Sequence, residues 1–213
     1  MARTKLKKLS KVKDLPNVFD LETKSIRDEI HNYFKPNRLF SLEIGCGHGD
    51  YSVELAKKFP ERLFIGVDRK GARVFLGATK AIEEKLDNVA FIVGRAEKLG
   101  EVFKLKSVEE IYIPFPDPHV RRANENRRLI SNLFLKIYKD LLTDSGVIHF
   151  KTDNQGLYEF GLKIISDFGC EILYSTNNLY SGESNFEQRV ITNFEKRFIK
   201  EGRNIKYIRF RFL

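Results

Sequence analysis

Glycine recurs at alternate positions in Glu43-Ile44-Gly45-Cys46-Gly47-His48-Gly49, directly after the apolar run 39–44. Residues without a Cβ let the chain turn sharply and let a ligand approach the main chain, and the next helix presents free N–H groups there. Nineteen residues after Gly49, Asp68 closes a second apolar run, LFIGVD (63–68), where a carboxylate can bond ribose hydroxyls. Run, loop and acid together point to a nucleoside cofactor rather than to an ordinary tight turn. The spacing is GxGxG, not the GxGxxG that accommodates a pyrophosphate, and Glu43 would repel a diphosphate. A carboxylate there suits a cofactor carrying an ammonium and a sulfonium, so nicotinamide chemistry is disfavoured. His48 and Cys46 within the loop read as a tolerated backbone position and a small buried residue. His31 and His149 are assigned no role.

The second constellation is Pro114-Phe115-Pro116-Asp117-Pro118. Prolines at alternate positions fix φ and bar continuation of strand or helix, so the loop is rigid by construction. It ends the fourth strand of the pattern, on the same rim as the glycine loop. Asp117 is therefore the candidate substrate-facing acid, because catalytic groups favour positioned loops. Arg121, Arg122, Arg127 and Arg128 follow, with Glu125 opposing them. Beside such a rim they read as phosphate contacts.

The elements that must hold these residues alternate. Residues 14–20 read as a loop, and a helix near 21–34 stops before Pro36. Strands at 39–44, 63–68, 89–94, 108–115 and 146–152 are separated by helical stretches near 50–58, 71–86, 96–103 and 125–141. Another helix, a strand at 171–175, a polar loop, a helix near 191–201 and a last strand complete the chain. In that last strand Ile208, Phe210 and Phe212 alternate with Arg209 and Arg211, as on a strand at or near an edge. The expected fold is α/β: a doubly wound, mostly parallel seven-stranded sheet flanked by helices, its last strand antiparallel. The expected organisation is a basic N-terminal tail, 1–20, and a single domain, 21–213.

Composition sets the limits. The chain has 213 residues, a size for one domain, and 42% of them are apolar, enough for a substantial core. No stretch approaches the roughly 18 apolar residues of a membrane span. Two cysteines far apart exclude a disulfide framework and a zinc ribbon. The basic N-terminus lacks the apolar stretch of a signal peptide, so a cytoplasmic protein is expected, without metal or membrane partner. The net charge is +9, and residues 1–13 and 203–213, which contain no acid, carry the whole excess. Basic ends on a nearly neutral body suggest an anionic macromolecular partner, with the N-terminal lysines, Arg209 and Arg211 extending a track from the 121–128 run.

The glycine loop resembles the first motif of Rossmann-like S-adenosylmethionine-dependent methyltransferases. Over roughly 37–213 the chain resembles a narrower family, the bacterial tRNA (guanine-N7)-methyltransferases. The carriers are EIGCGHG, Asp68, FPDPHVRRANENRRL, HFKTDN (149–154) and TNFEKRF (192–198). The resemblance implies S-adenosyl-L-methionine as cofactor, tRNA as partner, and methylation of N7 of the variable-loop guanosine, tRNA position 46. By motif it makes Glu43, Gly45, Gly47, Gly49, Asp68, Arg95 and Asp117 cofactor-side residues, with Asp117 also catalytic. It makes Arg121, Asp153, Thr192, Asn193, Phe194 and Glu195 substrate-side residues, 192–195 closing over the guanine. His119 stands where the family usually has Trp, Asn124 where it has His, and Pro114 where Asn is common. Arg121 replaces a lysine, and Arg95 replaces the small polar or acidic residue that meets the adenine. A monomer or weak homodimer is expected. Two other readings compete: a non-catalytic RNA-binding protein with a decayed cofactor loop, and a methyltransferase of the same fold acting on a protein or small molecule.

Overall fold

The computed structural model describes residues 11–34, 39–181 and 190–213. A 3-10 turn at Val12–Asp14 leads to β1 (Val18–Asp20) and α1 (Ile26–Phe34). Then β2 (Phe40–Ile44), α2 (Asp50–Lys58), β3 (Leu63–Asp68), α3 (Gly71–Glu83), β4 (Val89–Val93), the short α4 (Leu99–Val102) and β5 (Val108–Pro114) follow in alternation. The chain continues through α5 (Asn132–Leu141), β6 (Leu142–Thr152), α6 (Gln155–Asp167), β7 (Cys170–Thr176), α7 (Asn193–Lys200) and β8 (Lys206–Phe212).

The strands form one sheet in the order β1-β4-β3-β2-β5-β6-β8-β7. The first six in that order run parallel, and β8 alone runs antiparallel to both neighbours, β6 and β7. The alternating apolar runs bury both sheet faces. On β3 and β4, Leu63, Ile65, Val67, Ala90 and Ile92 join one core with α1, α4, α5 and α6, while Phe64, Val89 and Phe91 join the core under α2 and α3. Leu179, Phe198, Ile205 and Tyr207 make a third, smaller cluster beneath α7.

The sheet has eight strands where the alternation pattern promised seven. The extra one is β1, inside the stretch 14–20 that reads as a loop: Phe19 is buried, and Val18–Asp20 pairs with Phe91–Val93. Three residues are too few to show a period. Val12 is also buried in the core beside α2 and α3, so 11–20 packs on the sheet rather than trailing from it. The helix expected over 125–141 is divided. Residues Arg122–Arg127 form a 3-10 turn, Arg128 is extended (ψ 129°), and the α-helix starts only after Ser131. The break follows from Arg128, whose guanidinium is drawn away to the preceding loop.

Candidate active site

After β2 the chain turns through Gly45, Gly47 and Gly49, with φ of 75°, 57° and 73°. This left-handed region is inexpensive only for glycine, which explains the alternate spacing. The Gly45 and Cys46 amides donate to the Val67 carbonyl at 2.8 and 3.0 Å. The Asp68 carboxylate accepts from the Gly47 amide at 3.0 Å and the Lys70 amide at 2.8 Å, so the acid of β3 braces the loop of β2. A Cβ on Gly77 of α3 would lie 2.6 Å from the His48 carbonyl oxygen, so that helix packs its bare backbone on the loop. Glu43 is buried; its Oε2 accepts from the Ser52 amide at 2.9 Å and from the Ser52 hydroxyl. Burial pushes its carboxyl up to about 8, against the pull of the Ser52 hydrogen bonds. Burial likewise keeps the Cys46 thiol protonated, with Glu43 and Asp68 adding to the effect, so it is no nucleophile.

The proline loop is held by more than its prolines. Phe115 (φ 51°) and His119 (φ 41°) adopt left-handed conformations that cost a non-glycine residue about 1–3 kcal/mol each. The Phe115 amide donates to the Lys151 carbonyl at 2.8 Å. Arg128 donates to the carbonyls of Pro118 (Nε, 3.0 Å) and His119 (Nη2, 3.2 Å), and its guanidinium lies 4.2 Å over the Phe160 ring. Arg128 is 8% exposed and clamps the loop, so it leaves the basic run expected to touch phosphate. Arg121, Arg122 and Arg127 stay exposed. Asp117, exposed between Pro116 and Pro118, crests the clamped loop.

The third part comes from the ends of β6 and α7. Asp153 pairs with Arg203 at 2.8 Å, and Asn154 caps α6 by accepting from the Leu157 amide at 2.8 Å. Thr192 caps α7, accepting from the Glu195 amide at 3.1 Å. Glu195 is fully buried: its Oε1 accepts from Lys151 Nζ at 3.2 Å and from the Tyr180 hydroxyl at 2.5 Å. Its Oε2 has no hydrogen-bond partner among the described residues. Burial pulls the Lys151 ammonium below its ordinary range while Glu195 opposes the shift. Phe194 is 51% exposed, with ring centroids 6.3 Å from Phe115 and 4.8 Å from Phe198. His149 stacks on Tyr112 at 4.7 Å in the interior, and burial lowers it to about 3, so it is neutral.

These parts enclose one open cavity of about 800 Å³ beyond the carboxyl ends of β2 to β6. Of the expected site residues, Gly45, Asp68, Arg95, Asp117, Asp153 and Phe194 line it. Glu43, Gly47, Gly49, Arg121, Thr192 and Glu195 do not reach its wall: the glycines shape the loop, and Glu43, Thr192 and Glu195 are turned inward to hydrogen bonds. The side chain of Asn193 lies outside the described residues. Arg95 is exposed and paired with Glu97 at 2.9 Å, which puts an acidic side chain at the cavity all the same. Sequence reasoning assigned no role to Arg203 or Phe198; the one counted only as terminal charge and the other only as the last residue of the TNFEKRF motif. It also missed Gly77, for which a glycine inside an amphipathic helix is a signal. The arginine track at the C-terminus does not form as expected, since Arg211 pairs with Glu171 at 2.6 Å and Arg209 Nε is buried. The N-terminal residues 1–10 lie outside the described residues.

The cavity fits an S-adenosylmethionine-type cofactor. Gly45 presents backbone without a side chain at one wall, and the Asp68 carboxylate stands beside it at the strand end. Among the described residues, no group of three His, Cys, Asp or Glu could hold a metal ion, and no helix is long and apolar enough to cross a membrane.

Comparison with known proteins bears on the chemistry. Residues 37–208 match a family model described as a putative methyltransferase. The chain is 41% identical over 197 residues to a tRNA (guanine-N(7)-)-methyltransferase of Christiangramia forsetii, covering 92% of this chain and 86% of that one. It is 37% identical to the enzyme so named in Cytophaga hutchinsonii, over 100% of this chain and 99% of that one. Among solved structures, an antibiotic-related methyltransferase superposes with a TM-score of 0.62 at 22% identity, over 86% of this chain and 92% of that one. An Aquifex aeolicus methyltransferase described as SAM-dependent gives 0.55 at 14% identity, over 95% and 97%. These two likenesses show the fold alone.

Proposed function

Since this chain belongs to the tRNA (guanine-N(7)-)-methyltransferase family, we propose that its cavity aligns a tRNA guanine with bound S-adenosyl-L-methionine and methylates it at N7. The observation that carries this reading is the continuity of the cavity from Gly45 and Asp68 to Asp117, Asp153 and Phe194. Cofactor and base can therefore meet within one cavity.

When bound, S-adenosylmethionine supplies a methyl group on a sulfonium, and transfer breaks that S–C bond to leave a thioether. Guanine N7 attacks with its own lone pair, so no proton leaves the base and no general base is needed. The work of the chain is alignment, with N7 held near attack distance. Asp117, on its clamped loop, accepts a hydrogen bond from the guanine N–H edge and stabilises the positive charge that grows on the ring. Phe194 offers the base a face, with Phe115 and Phe198 behind it. Asp68 takes the cofactor ribose, and Asp153, oriented by Arg203, takes the nucleotide. Extruding the guanine from its stack costs a few kcal/mol, and phosphate contacts at Arg121, Arg122 and Arg127 offset that cost. Thr192 and Glu195 serve the pocket indirectly, by fixing the start of α7. The target is the variable-loop guanosine, the working compartment is the cytoplasm, and the N-terminal lysines extend the RNA contact.

The experiment is to incubate the protein with unmodified tRNA and methyl-labelled cofactor, then map 7-methylguanosine by borohydride–aniline cleavage. Cleavage in the variable loop is expected; its absence overturns the reading. Asp117→Ala should bind cofactor almost normally and lose turnover by about 10²–10³-fold, the scale for removing one charge-stabilising contact. Unaltered turnover would remove Asp117 from its role.

A further inference from the structure

Three cations lie within the five residues after Asp68: Arg69, Lys70 and Arg73. All three are exposed, and all three line the cavity at its cofactor end. Among the described residues, none of them makes an ion pair within 4.0 Å. Neighbouring cations are satisfied: Arg95 pairs with Glu97 at 2.9 Å, Lys98 with Glu22 at 2.8 Å and Lys80 with Glu54 at 2.9 Å.

The cofactor does not account for them. An ammonium, a sulfonium and one carboxylate leave S-adenosylmethionine with a net positive charge, so like charges at the ribose end oppose its binding. What three cations within five residues, none in an ion pair within 4.0 Å among the described residues, favour is a chain of phosphates. The same cavity has Arg127 on its other side, adjoining exposed Arg121 and Arg122. Positive charge outside any ion pair within 4.0 Å among the described residues therefore follows both β3 and β5, the strands on either side of β2, and lines the same cavity as the acids Asp68 and Asp117.

We propose that Arg69, Lys70 and Arg73 form a second RNA-phosphate contact, so that bound tRNA bridges the cavity and covers its cofactor arm. This rests on the reading of the cavity as a tRNA methylation site and adds the path of the RNA across it. A consequence is order: cofactor enters before RNA, and spent cofactor leaves after it.

Arg69→Gln/Arg73→Gln tests this in the full chain, leaving Lys70, whose backbone starts α3, untouched. Calorimetric titration with S-adenosylmethionine, without RNA, should give an affinity equal to wild type or tighter, since two like charges are gone, which also shows that the variant is folded. Affinity for unmodified tRNA at low salt should fall by at least about tenfold. The slope of log K against log salt should flatten by about 1.4–1.8, the value for two lost phosphate contacts. Saturating tRNA should slow release of labelled S-adenosylhomocysteine from wild type, and much less from the variant. Arg121→Gln/Arg127→Gln is the comparator. If the comparator loses tRNA affinity and the Arg69/Arg73 variant keeps both affinity and slope, the second contact is overturned while the methylation site stands. If neither variant changes tRNA binding and wild type forms no 7-methylguanosine, the underlying reading falls with it.

Discussion

The cofactor arm and the substrate arm of one cavity are built by different means. The cofactor arm is made of main chain: three glycines at positive φ, two amides on the Val67 carbonyl, and Asp68 binding the Gly47 and Lys70 amides. The substrate arm is made of charged side chains acting as struts: Lys151 to Glu195, Arg203 to Asp153, and Arg128 to two loop carbonyls. A backbone-built wall tolerates change at side chains that point away from it. A buried strut such as Lys151 to Glu195 fails when either partner is removed, because the survivor is a charge without water.

That difference is sharpest at Lys151, 4% exposed against a fully buried Glu195. Lys151→Met should cost about 3–5 kcal/mol in denaturant unfolding, the scale for orphaning one member of a buried pair. Lys151→Met/Glu195→Leu should recover much of that loss, since replacing both partners by apolar groups is often close to neutral. Both variants should lose turnover, because α7 no longer presents Phe194 in place. If the single variant loses less than about 1 kcal/mol, the strut description of this arm is wrong.

The same contrast separates what was legible in the sequence from what was not. Glycine conformation and proline rigidity are local properties, so the loops at 45–49 and 114–118 and the strands leading into them read directly from residue types. A carboxylate or guanidinium, by contrast, looks the same whether it faces a ligand or a partner across the fold. Glu195 reads as a substrate contact and is a buried strut; Arg128 reads as a phosphate contact and clamps Pro118 and His119. Arg211, expected on an RNA track, is tied to Glu171 on the adjacent strand. Those pairings span as many as 44 residues of sequence, beyond any local pattern. Strand β1 escaped notice for another reason: it is three residues long and its place is fixed by pairing with β4.

Within the cofactor arm, Gly49→Ala tests whether main-chain packing is as exacting as the struts. The added Cβ would lie 2.5 Å from Phe91 Cε1 at a backbone φ of 73°, so conformational and overpacking costs add. The expected loss is about 2–4 kcal/mol, with a lower thermal midpoint. In the substrate arm, Arg128→Lys keeps the charge but loses the fork that spans two carbonyls. It should cost about 1–2 kcal/mol and lower turnover about tenfold with cofactor affinity unchanged, as measured by titration beside steady-state kinetics. Unchanged turnover would mean that the prolines alone hold Asp117.

Gly47→Ala carries the smallest effect and discriminates most finely. Its φ is 57°, yet a Cβ there would meet no atom within 4 Å, so the conformational term acts alone. A loss of about 1–2 kcal/mol is expected, below the range for Gly49→Ala in the same motif. If Gly47 is only a backbone hinge, cofactor affinity should fall little, since its amide still donates to Asp68. A large fall in affinity at unchanged stability would instead put Gly47 against the cofactor itself. The two glycines, identical in the sequence pattern, would then differ in kind: one excluded by Phe91, the other by the ligand.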